Sequence, residues 1–276
     1  MDELLRAPDD VRLRDIDTRS TPGFESDKAD GEQALADGVD ELSTLQERLH
    51  AASTAGETRR VLLVIQAMDT AGKGGIVRHV IGAVDPQGVQ LAAFKRPTEE
   101  ELSHHFLWRV ERQLPAVGKI GVFDRSHYED VLIGRVRQLA PAEEIEQRYD
   151  DITAFERRVA DSGTSIVKVM LHISKKEQGE RLAERLARPD KHWKYNPGDI
   201  DERMLWAEYE RAYELAIQRT DADHAPWFIV PADRKWYARL AVQSLLLSAL
   251  RDLDPQWPTA DFDVEVEKER LAASSP

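Results

Sequence analysis

The 276-residue sequence predicts an α/β protein in which a five-stranded parallel sheet lies between two layers of helices. Five short apolar runs alternate with helical patterns, which is typical of a parallel sheet that is buried on both faces. A glycine-containing turn follows the first run, and charged residues follow several of the others. Because the carboxyl ends of parallel strands meet at one edge of the sheet, we expect these segments to form one site there.

The predicted elements follow one another with short connections. The predicted strands are Val61–Gln66, Val89–Phe94, Lys119–Phe123, Ser165–Ile173 and Pro226–Val230. Helical patterns are found over Gly31–Ser53, Glu143–Ser162, Asp199–Arg219 and Lys235–Leu250, and a further helix begins at Lys175. Thr98 and Glu101 have the spacing of a capping box, which predicts a helix from Thr98 to about Gln113.

The net charge of −13 is concentrated at the two ends of the chain. Residues 1–57 hold 15 acidic and 6 basic residues, residues 252–276 hold 7 and 2, and residues 58–251 hold 29 and 30. We therefore divide the chain into an N-terminal acidic arm and helix (1–57), a core (58–251) and an acidic C-terminal tail (252–276). Met1–Asp30 has no sustained hydrophobic period, which predicts an extended or poorly ordered arm.

Composition excludes several classes of function. The chain has no cysteine, so it has neither disulfides nor a thiolate metal site, as is typical of a reducing compartment. It contains no signal-peptide pattern and no apolar stretch of about 18 residues. We expect a cytoplasmic protein without membrane association. The near-neutral core and acidic ends argue against nucleic-acid binding.

The first predicted strand leads into a loop with the layout of a phosphate-binding P-loop, Ala67-Met68-Asp69-Thr70-Ala71-Gly72-Lys73-Gly74. Small residues let backbone N–H groups point at phosphate oxygens, and the lysine reaches the outer phosphates. The match to G-x-x-x-x-G-K-[ST] is imperfect. Ala67 replaces the first glycine, and Gly74 replaces the Ser or Thr whose hydroxyl holds Mg²⁺.

Two acidic residues predict a metal site. Asp69 lies within the loop, and a carboxylate among phosphate ligands makes chemical sense when a metal ion lies between them. Asp124 follows the strand Lys119–Phe123, at the position where nucleotide-handling α/β proteins hold Mg²⁺. We therefore expect Asp69 and Asp124 to bind Mg²⁺. The alternative for Asp124 is a strand-end residue that caps the next helix.

Basic side chains predict a phosphate-binding lid over about residues 181–200. Three arginines of the helix that begins at Lys175 are four and three residues apart, which places them on one face. A basic, aromatic segment follows, as is typical of a mobile lid that closes over phosphates. Including the pair that follows the second strand, the basic candidates are Lys95, Arg96, Arg181, Arg185, Arg188, Lys191 and Lys194.

Together, these segments resemble the polyphosphate kinase 2 family, which moves phosphate between inorganic polyphosphate and nucleotides. The resemblance covers about Leu62 to Leu250. It rests on the P-loop and on Phe94–Pro97, Phe123–Asp130, Lys191–Lys194 and Ala225–Tyr237. It implies a three-layer P-loop kinase fold like that of thymidylate kinase with a helical lid, Mg²⁺ as cofactor, and a homodimer or homotetramer.

The resemblance also implies roles for individual residues. Asp69 and Asp124 are implied as the metal-binding pair, with Lys73, Arg125 and Arg185 as further catalytic residues. The other basic candidates and the remaining loop residues are implied as phosphate-binding: Ala67, Met68, Thr70, Ala71, Gly72 and Gly74. The segment His127–Asp130 resembles members that phosphorylate AMP, or both AMP and ADP.

The predicted function is therefore Mg²⁺-dependent phosphoryl transfer between polyphosphate and adenine nucleotides, with guanine nucleotides as a further option. An ordinary nucleotide kinase with ATP as donor needs a similar cleft and is the main alternative. A guanine-nucleotide switch is disfavoured because Asn196, the single asparagine, does not lie in an N-K-x-D motif.

Overall fold

The computed structural model describes residues 1–274 and contains one five-stranded sheet with all strands parallel. The strands are β1 (Arg60–Ala67), β2 (Val89–Ala93), β3 (Ile120–Asp124), β4 (Thr164–His172) and β5 (Trp227–Pro231). Their order in the sheet is β2-β3-β1-β4-β5. The predicted α/β class and parallel sheet are confirmed. β1, β3 and β4 are almost wholly buried because helices cover both faces.

Twelve helices surround the sheet in the described part of the chain. They are α1 (Asp2–Leu5), α2 (Lys28–Thr54), α3 (Lys73–His79), α4 (Glu99–Leu102), α5 (Trp108–Glu111), α6 (Ile133–Val136), α7 (Ala142–Asp161), α8 (Lys175–Ala187), α9 (Gly198–Met204), α10 (Trp206–Thr220), α11 (Lys235–Leu253) and α12 (Val264–Ala273). One layer contains α2, α3 and α11, and the other contains α6, α7 and α10. The three-layer arrangement is therefore as predicted.

Close approach of α2 to α11 depends on glycine. A Cβ at Gly31 would lie 2.3 Å from the Trp236 ring, and one at Gly38 would lie 2.5 Å from the Gln243 side chain. Gly38 lowers the helix propensity of this segment. The structure gives the reason for its presence, since a larger residue would push the two helices apart.

The N-terminal arm is ordered and packed, so of the two expectations, an extended or a poorly ordered arm, the second is wrong. Leu5, Val11 and Leu13 are buried, and the Ala7 N–H donates to the Trp227 carbonyl at the edge strand β5. Further along the arm, the Thr18 hydroxyl donates to the Asp233 carboxylate at 2.8 Å. The arm therefore covers the β5 edge and reaches the end of the sheet where the candidate site lies.

Two predicted helices are interrupted. The capping box of Thr98 and Glu101 is present, but α4 ends at Leu102, and α5 begins only at Trp108. The predicted helix Asp199–Arg219 is divided at Leu205 into α9 and α10. In residues 1–274, no helix is both long enough and apolar enough to cross a membrane.

Candidate active site

The P-loop lies between β1 and α3, as predicted. Its backbone takes positive φ at Thr70 (65°) and at Gly72 (123°). Gly72 suits this conformation because it has no Cβ, whereas Thr70 is held there by its surroundings. The Lys73 ammonium group donates to the Ala67 carbonyl oxygen at 3.3 Å, so the lysine folds back over its own loop.

An arginine–aspartate pair spans the loops after β1 and β3. Asp124 is aligned with Ile65 in the sheet, which brings the residue after β3 close to the P-loop. Arg125 takes positive φ (64°), and its guanidinium donates to the Asp69 carboxylate at 2.9 Å. A second carboxylate, that of Glu129, lies 3.8 Å from the same guanidinium. Arg125 is therefore shared between the P-loop and its own loop.

Burial and charge act in opposite directions on this cluster. Burial disfavours the charged guanidinium, but Glu129 and Asp69 outweigh it, and the pKa of Arg125 is raised. Burial also raises the pKa of Glu129, while Arg125 and Lys73 oppose that rise. The site therefore contains a guanidinium that holds its charge beside a carboxyl that gives up its charge more readily.

A buried polar network supports the loop after β3. The Lys168 ammonium group donates to Glu156 at 2.6 Å and to the Tyr128 hydroxyl at 2.9 Å, and His127 lies 3.2 Å from Glu156. All four side chains are buried. His127 and Tyr128 therefore anchor the segment 127–130 from below, and its next residue, Glu129, faces the site.

All three nitrogen atoms of the Arg181 guanidinium donate hydrogen bonds to other residues of the chain. Its Nε donates to Glu177 at 2.8 Å, and only 6% of the residue is exposed. The two Nη groups donate to four backbone carbonyl oxygens, those of Thr70, Ala71, Ala232 and Asp233. Its phosphate-binding role stays a prediction, and its contacts are those of a residue that holds the P-loop against the end of β5.

Two cavities open on opposite sides of the P-loop. The first, about 210 Å³, is here called the aromatic cavity because Trp206, Tyr209 and Tyr213 form one wall. Its remaining lining residues are Ala67, Met68, Asp69, Arg125, Glu129, Leu132, Ile133, Gln178, Asn196, Gly198, Asp199, Glu202 and Arg203. It therefore combines apolar surface with charges of both signs.

The second cavity, about 420 Å³, is here called the basic groove. Its basic lining residues are Lys73, Arg78, His79, Arg181, Arg185, Arg188, Lys191, Lys194, Lys235 and Arg239. Two acidic residues, Asp124 and Glu184, also line it. The P-loop residues Thr70–Gly75 form its floor. Such a surface is suited to an extended polyanion.

The structure brings most of the predicted site residues together. Ala67, Met68, Asp69 and Arg125 face the aromatic cavity. The other predicted residues that line a cavity lie in the basic groove: Thr70, Ala71, Gly72, Lys73, Gly74, Asp124, Arg181, Arg185, Arg188, Lys191 and Lys194. Lys95 and Arg96 are exposed after β2 and line neither cavity. Their assignment to phosphate binding stays a prediction.

Sequence reasoning missed one end of the basic groove and one wall of the aromatic cavity. Lys235 and Arg239 are four residues apart on α11, and that spacing is a signal that could have found them. Tyr209 and Tyr213 belong to an apolar stripe typical of core packing. The structure buries Tyr213 in the core and packs the half-buried Tyr209 against it, and both lie at the cavity wall.

The residues present fit a magnesium ion that is held partly by substrate. In residues 1–274, no cluster of three or more acidic, histidine or cysteine side chains is arranged to hold a metal by itself. Asp69, within the P-loop, faces the aromatic cavity, and Asp124 faces the basic groove. Mg²⁺ is commonly bound by one or two carboxylates together with substrate phosphates. These two carboxylates match that donor set.

The sheet, the P-loop and the paired cavities define a phosphotransferase of the P-loop class. Residues 25–258 match the family model of polyphosphate kinase 2, and the chain belongs to that family. It is 45% identical over 246 residues to the AMP/ADP-polyphosphate phosphotransferase of Meiothermus ruber, covering 89% of this chain and 91% of the relative. It is 40% identical over 253 residues to the ADP-polyphosphate phosphotransferase of Rhodopseudomonas palustris, covering 87% and 86%.

Comparison with a solved structure also assigns the fold to this family. Polyphosphate kinase 2 from Arthrobacter aurescens TC1 superimposes with a TM-score of 0.97 at 56% identity, covering 99% of this chain and 96% of that one. The predicted family and the polyphosphate kinase class are confirmed. The nucleotides AMP and ADP appear in the names of these relatives and are stated here of those proteins alone.

Proposed function

We propose that this chain transfers phosphoryl groups between inorganic polyphosphate and nucleotides, with AMP and ADP as acceptors and guanine nucleotides as a further option. One observation carries the proposal. A cavity of mixed character and a groove lined mainly by cations meet at the same P-loop. A nucleotide needs both a surface for its base and charges for its phosphates. A phosphate polymer needs a row of cations, and the basic groove supplies one.

Phosphoryl transfer on this arrangement depends on positioning and charge. The acceptor is a phosphate oxygen that is already deprotonated, so no general base is required. Lys73 lines the basic groove and donates to Ala67, which lines the aromatic cavity, and Arg125 faces the aromatic cavity beside Asp69. These two cations, with Arg185 from the lid, stabilise the negative charge that spreads over the transferred group. Magnesium, held by Asp69, Asp124 and substrate phosphates, would supply further charge neutralisation when bound.

The lid supports the same proposal. The Arg185 guanidinium donates to the Lys194 carbonyl at 2.9 Å and lies 3.5 Å from the Asp199 carboxylate. It therefore ties α8 to the two segments that follow it. These contacts support a lid over about residues 181–200, in which the cations line the basic groove while Asp199 lines the aromatic cavity. Closure of such a lid excludes water from the transfer step.

The direct test uses purified protein, Mg²⁺ and long-chain polyphosphate with ADP, and measures ATP with luciferase. A parallel reaction with AMP measures ADP and ATP by chromatography. A Lys73→Ala preparation made in the same way controls for contaminating kinases. We expect product in both reactions with the wild-type protein and almost none with the variant.

The same assay separates the alternative. Polyphosphate is replaced by ATP as donor with AMP as acceptor. If the protein makes ADP from ATP and AMP but nothing from polyphosphate, it is an ordinary nucleotide kinase, and the proposal is wrong. Activity with polyphosphate alone as donor supports it.

The proposal includes where and how the protein works. A polyphosphate kinase with no cysteine suits the cytoplasm, and we extend the proposal to that location. We also propose a homodimer or homotetramer, as the resemblance implies, without a nucleic-acid partner. Light scattering of the purified protein measures the subunit count directly, and a monomer would contradict this part.

A further inference from the structure

One fully buried polar residue of β1 is not used by the transfer step. Gln66 is the next-to-last residue of the strand, its exposure is 0%, and the residues Val61–Ile65 before it are all apolar. Burying an amide group costs free energy unless both its nitrogen and its oxygen find hydrogen-bond partners. Because Ile65 is aligned with Asp124 in the neighbouring strand, Gln66 lies opposite the first residues of the loop after β3. Its partners lie in that loop.

The neighbours of Gln66 determine which way its amide group points. The backbone N–H and the hydroxyl of Ser126 lie 3.0 Å from one end of the amide, and a Glu129 carboxylate oxygen lies 3.0 Å from the other. Since an N–H donates and a carboxylate accepts, the Gln66 oxygen faces Ser126 and its nitrogen donates to Glu129. The Ser126 hydroxyl accepts from the Tyr128 N–H, so its own hydrogen is available for Gln66. This orientation satisfies both ends of the buried amide.

The hydrogen bond from Gln66 affects Arg125 through Glu129. A Glu129 oxygen lies 3.8 Å from the Arg125 guanidinium, which is longer than a hydrogen bond, whereas Gln66 donates to Glu129 at 3.0 Å. Arg125 donates to Asp69 through one Nη atom, and in residues 1–274 its other Nη atom and its Nε atom form no hydrogen bond. Arg125 and Glu129 both line the aromatic cavity, so these donors are available to a phosphate there.

We propose that Gln66 is a positioning residue that holds the Glu129 carboxylate back from Arg125 and so leaves the guanidinium available to the transferred phosphoryl group. A carboxylate and a guanidinium readily form a close ion pair with two parallel hydrogen bonds. Such a pair would occupy the donors of Arg125 and neutralise the charge that stabilises the transfer step. The proposal rests on the proposed function, because it assumes that Arg125 acts on the transferred group.

The test is a double-mutant cycle of Gln66→Leu and Glu129→Gln, with polyphosphate as donor and ADP as acceptor. Gln66→Leu alone should lower kcat roughly 10- to 100-fold, because Arg125 keeps its charge but spends its donors on Glu129. In the Glu129→Gln background the same substitution should lower kcat by less than about threefold, because a neutral amide forms no ion pair. The polyphosphate KM should stay within about twofold in all four proteins, since neither residue lines the basic groove.

Gln243→Leu is the matched control for the loss of a buried amide. Gln243 of α11 is 1% exposed, donates to the Leu35 carbonyl at 3.0 Å and lines neither cavity. Its substitution should lower the melting temperature, as Gln66→Leu does, but leave kcat at the wild-type value. An equal loss of kcat for Gln66→Leu in both backgrounds would make Gln66 a merely structural residue and overturn the proposal. A wild-type kcat for Gln66→Leu would overturn it as well.

ADP binding, measured by calorimetry in all four proteins of the cycle, is a second readout. Gln66→Leu should weaken ADP binding where Glu129 is present and leave it unchanged where Gln replaces Glu129; any other pattern contradicts the proposal. This readout decides the matter if Glu129→Gln abolishes turnover by itself. If Gln66→Leu does not fold, Gln66→Asn replaces it, because the shorter amide cannot bridge Ser126 and Glu129. If the wild-type protein uses no polyphosphate, the proposed function fails, and the binding cycle alone tests the role of Gln66.

Discussion

The aromatic cavity and the basic groove share one P-loop but are built in opposite ways. The aromatic cavity has three aromatic side chains and charges of both signs. The basic groove has ten basic lining residues against two acidic ones and is about twice as large, 420 Å³ against 210 Å³. The first surface offers apolar, acidic and basic contacts, whereas the second offers mainly positive charge. The difference supports the proposal that one P-loop serves two chemically different ligands, a nucleotide and a phosphate polymer.

This comparison becomes testable because single residues belong to one cavity, to the other, or to their junction. A junction residue should affect both substrates and the rate of transfer. A residue of one cavity that contacts neither the transferred group nor Mg²⁺ should affect the KM of one substrate only. The three predictions below test residues at these different positions.

The largest effect is expected at Lys73, which lines the basic groove and folds over the first residue of the loop, Ala67. Lys73→Ala should lower kcat roughly 10²- to 10³-fold, the usual loss when one charge-stabilising group is removed from a transition state. Its melting temperature should stay within about 2 °C of wild type, because its one hydrogen bond is partly exposed. Asp124→Asn should behave in the same way. A large fall in melting temperature would show that these residues are structural.

An intermediate effect, on stability and on both substrates, is expected at Arg181. Arg181→Gln leaves buried carbonyl oxygens of the P-loop and of the β5 end without donors. The loss should be about 2–4 kcal/mol, or roughly 4–15 °C in melting temperature. Both KM values should rise together, because the loop that separates the cavities loses its support.

Arg188→Gln is the control for stability at Arg181, since its ion pairs with Glu184 and Asp190 are exposed. Exposed pairs contribute about 0–1 kcal/mol, so its melting temperature should barely change. If Arg181→Gln unfolds no earlier than Arg188→Gln and raises only the KM for polyphosphate, then Arg181 is a phosphate ligand, as the sequence predicted.

Arg181 also illustrates what a sequence can predict here. Its spacing from Arg185 correctly placed both on one face of α8 and in the basic groove. Helical spacing gives no information on what lies opposite that face. The carbonyl groups that bind Arg181 come from residues about 50 and 110 positions away along the chain. Tertiary packing alone decided that this arginine is buried while Arg188 is exposed.

The same distinction between local pattern and tertiary packing explains why the sequence predicted the strands correctly but did not predict the packing of the N-terminal arm. The predicted strand Val61–Gln66 is found as Arg60–Ala67, because a buried parallel strand is a continuous apolar run that its own residues reveal. The arm has few apolar residues and no period. Leu5 and Leu13 are buried against elements more than 200 residues away in sequence, as the contact of Leu13 with Glu214 indicates. No local pattern reports such contacts.

The smallest effect is expected at Asp199, which lines only the aromatic cavity and is 8% exposed. Burial and the negative charge of Asp69 raise its pKa from 3.8 to about 6, although Arg185 opposes the rise. The folded protein therefore holds this proton more tightly than the unfolded chain. The stability that the protonated form contributes is fully present below about pH 4 and is lost as the pH rises through about 6.

Asp199→Asn keeps the shape of the side chain without its charge, so it should melt a few degrees above wild type at pH 7.5. The difference should narrow as the pH falls below 6, where wild-type Asp199 is itself neutral. Asp201→Asn, an exposed neighbour on α9, should show neither effect. The nucleotide KM should fall about twofold because a repelling charge is removed, while the polyphosphate KM stays constant. A variant less stable than wild type at pH 7.5 would mean that the ion pair with Arg185 outweighs the burial of Asp199, and that the lid depends on this contact.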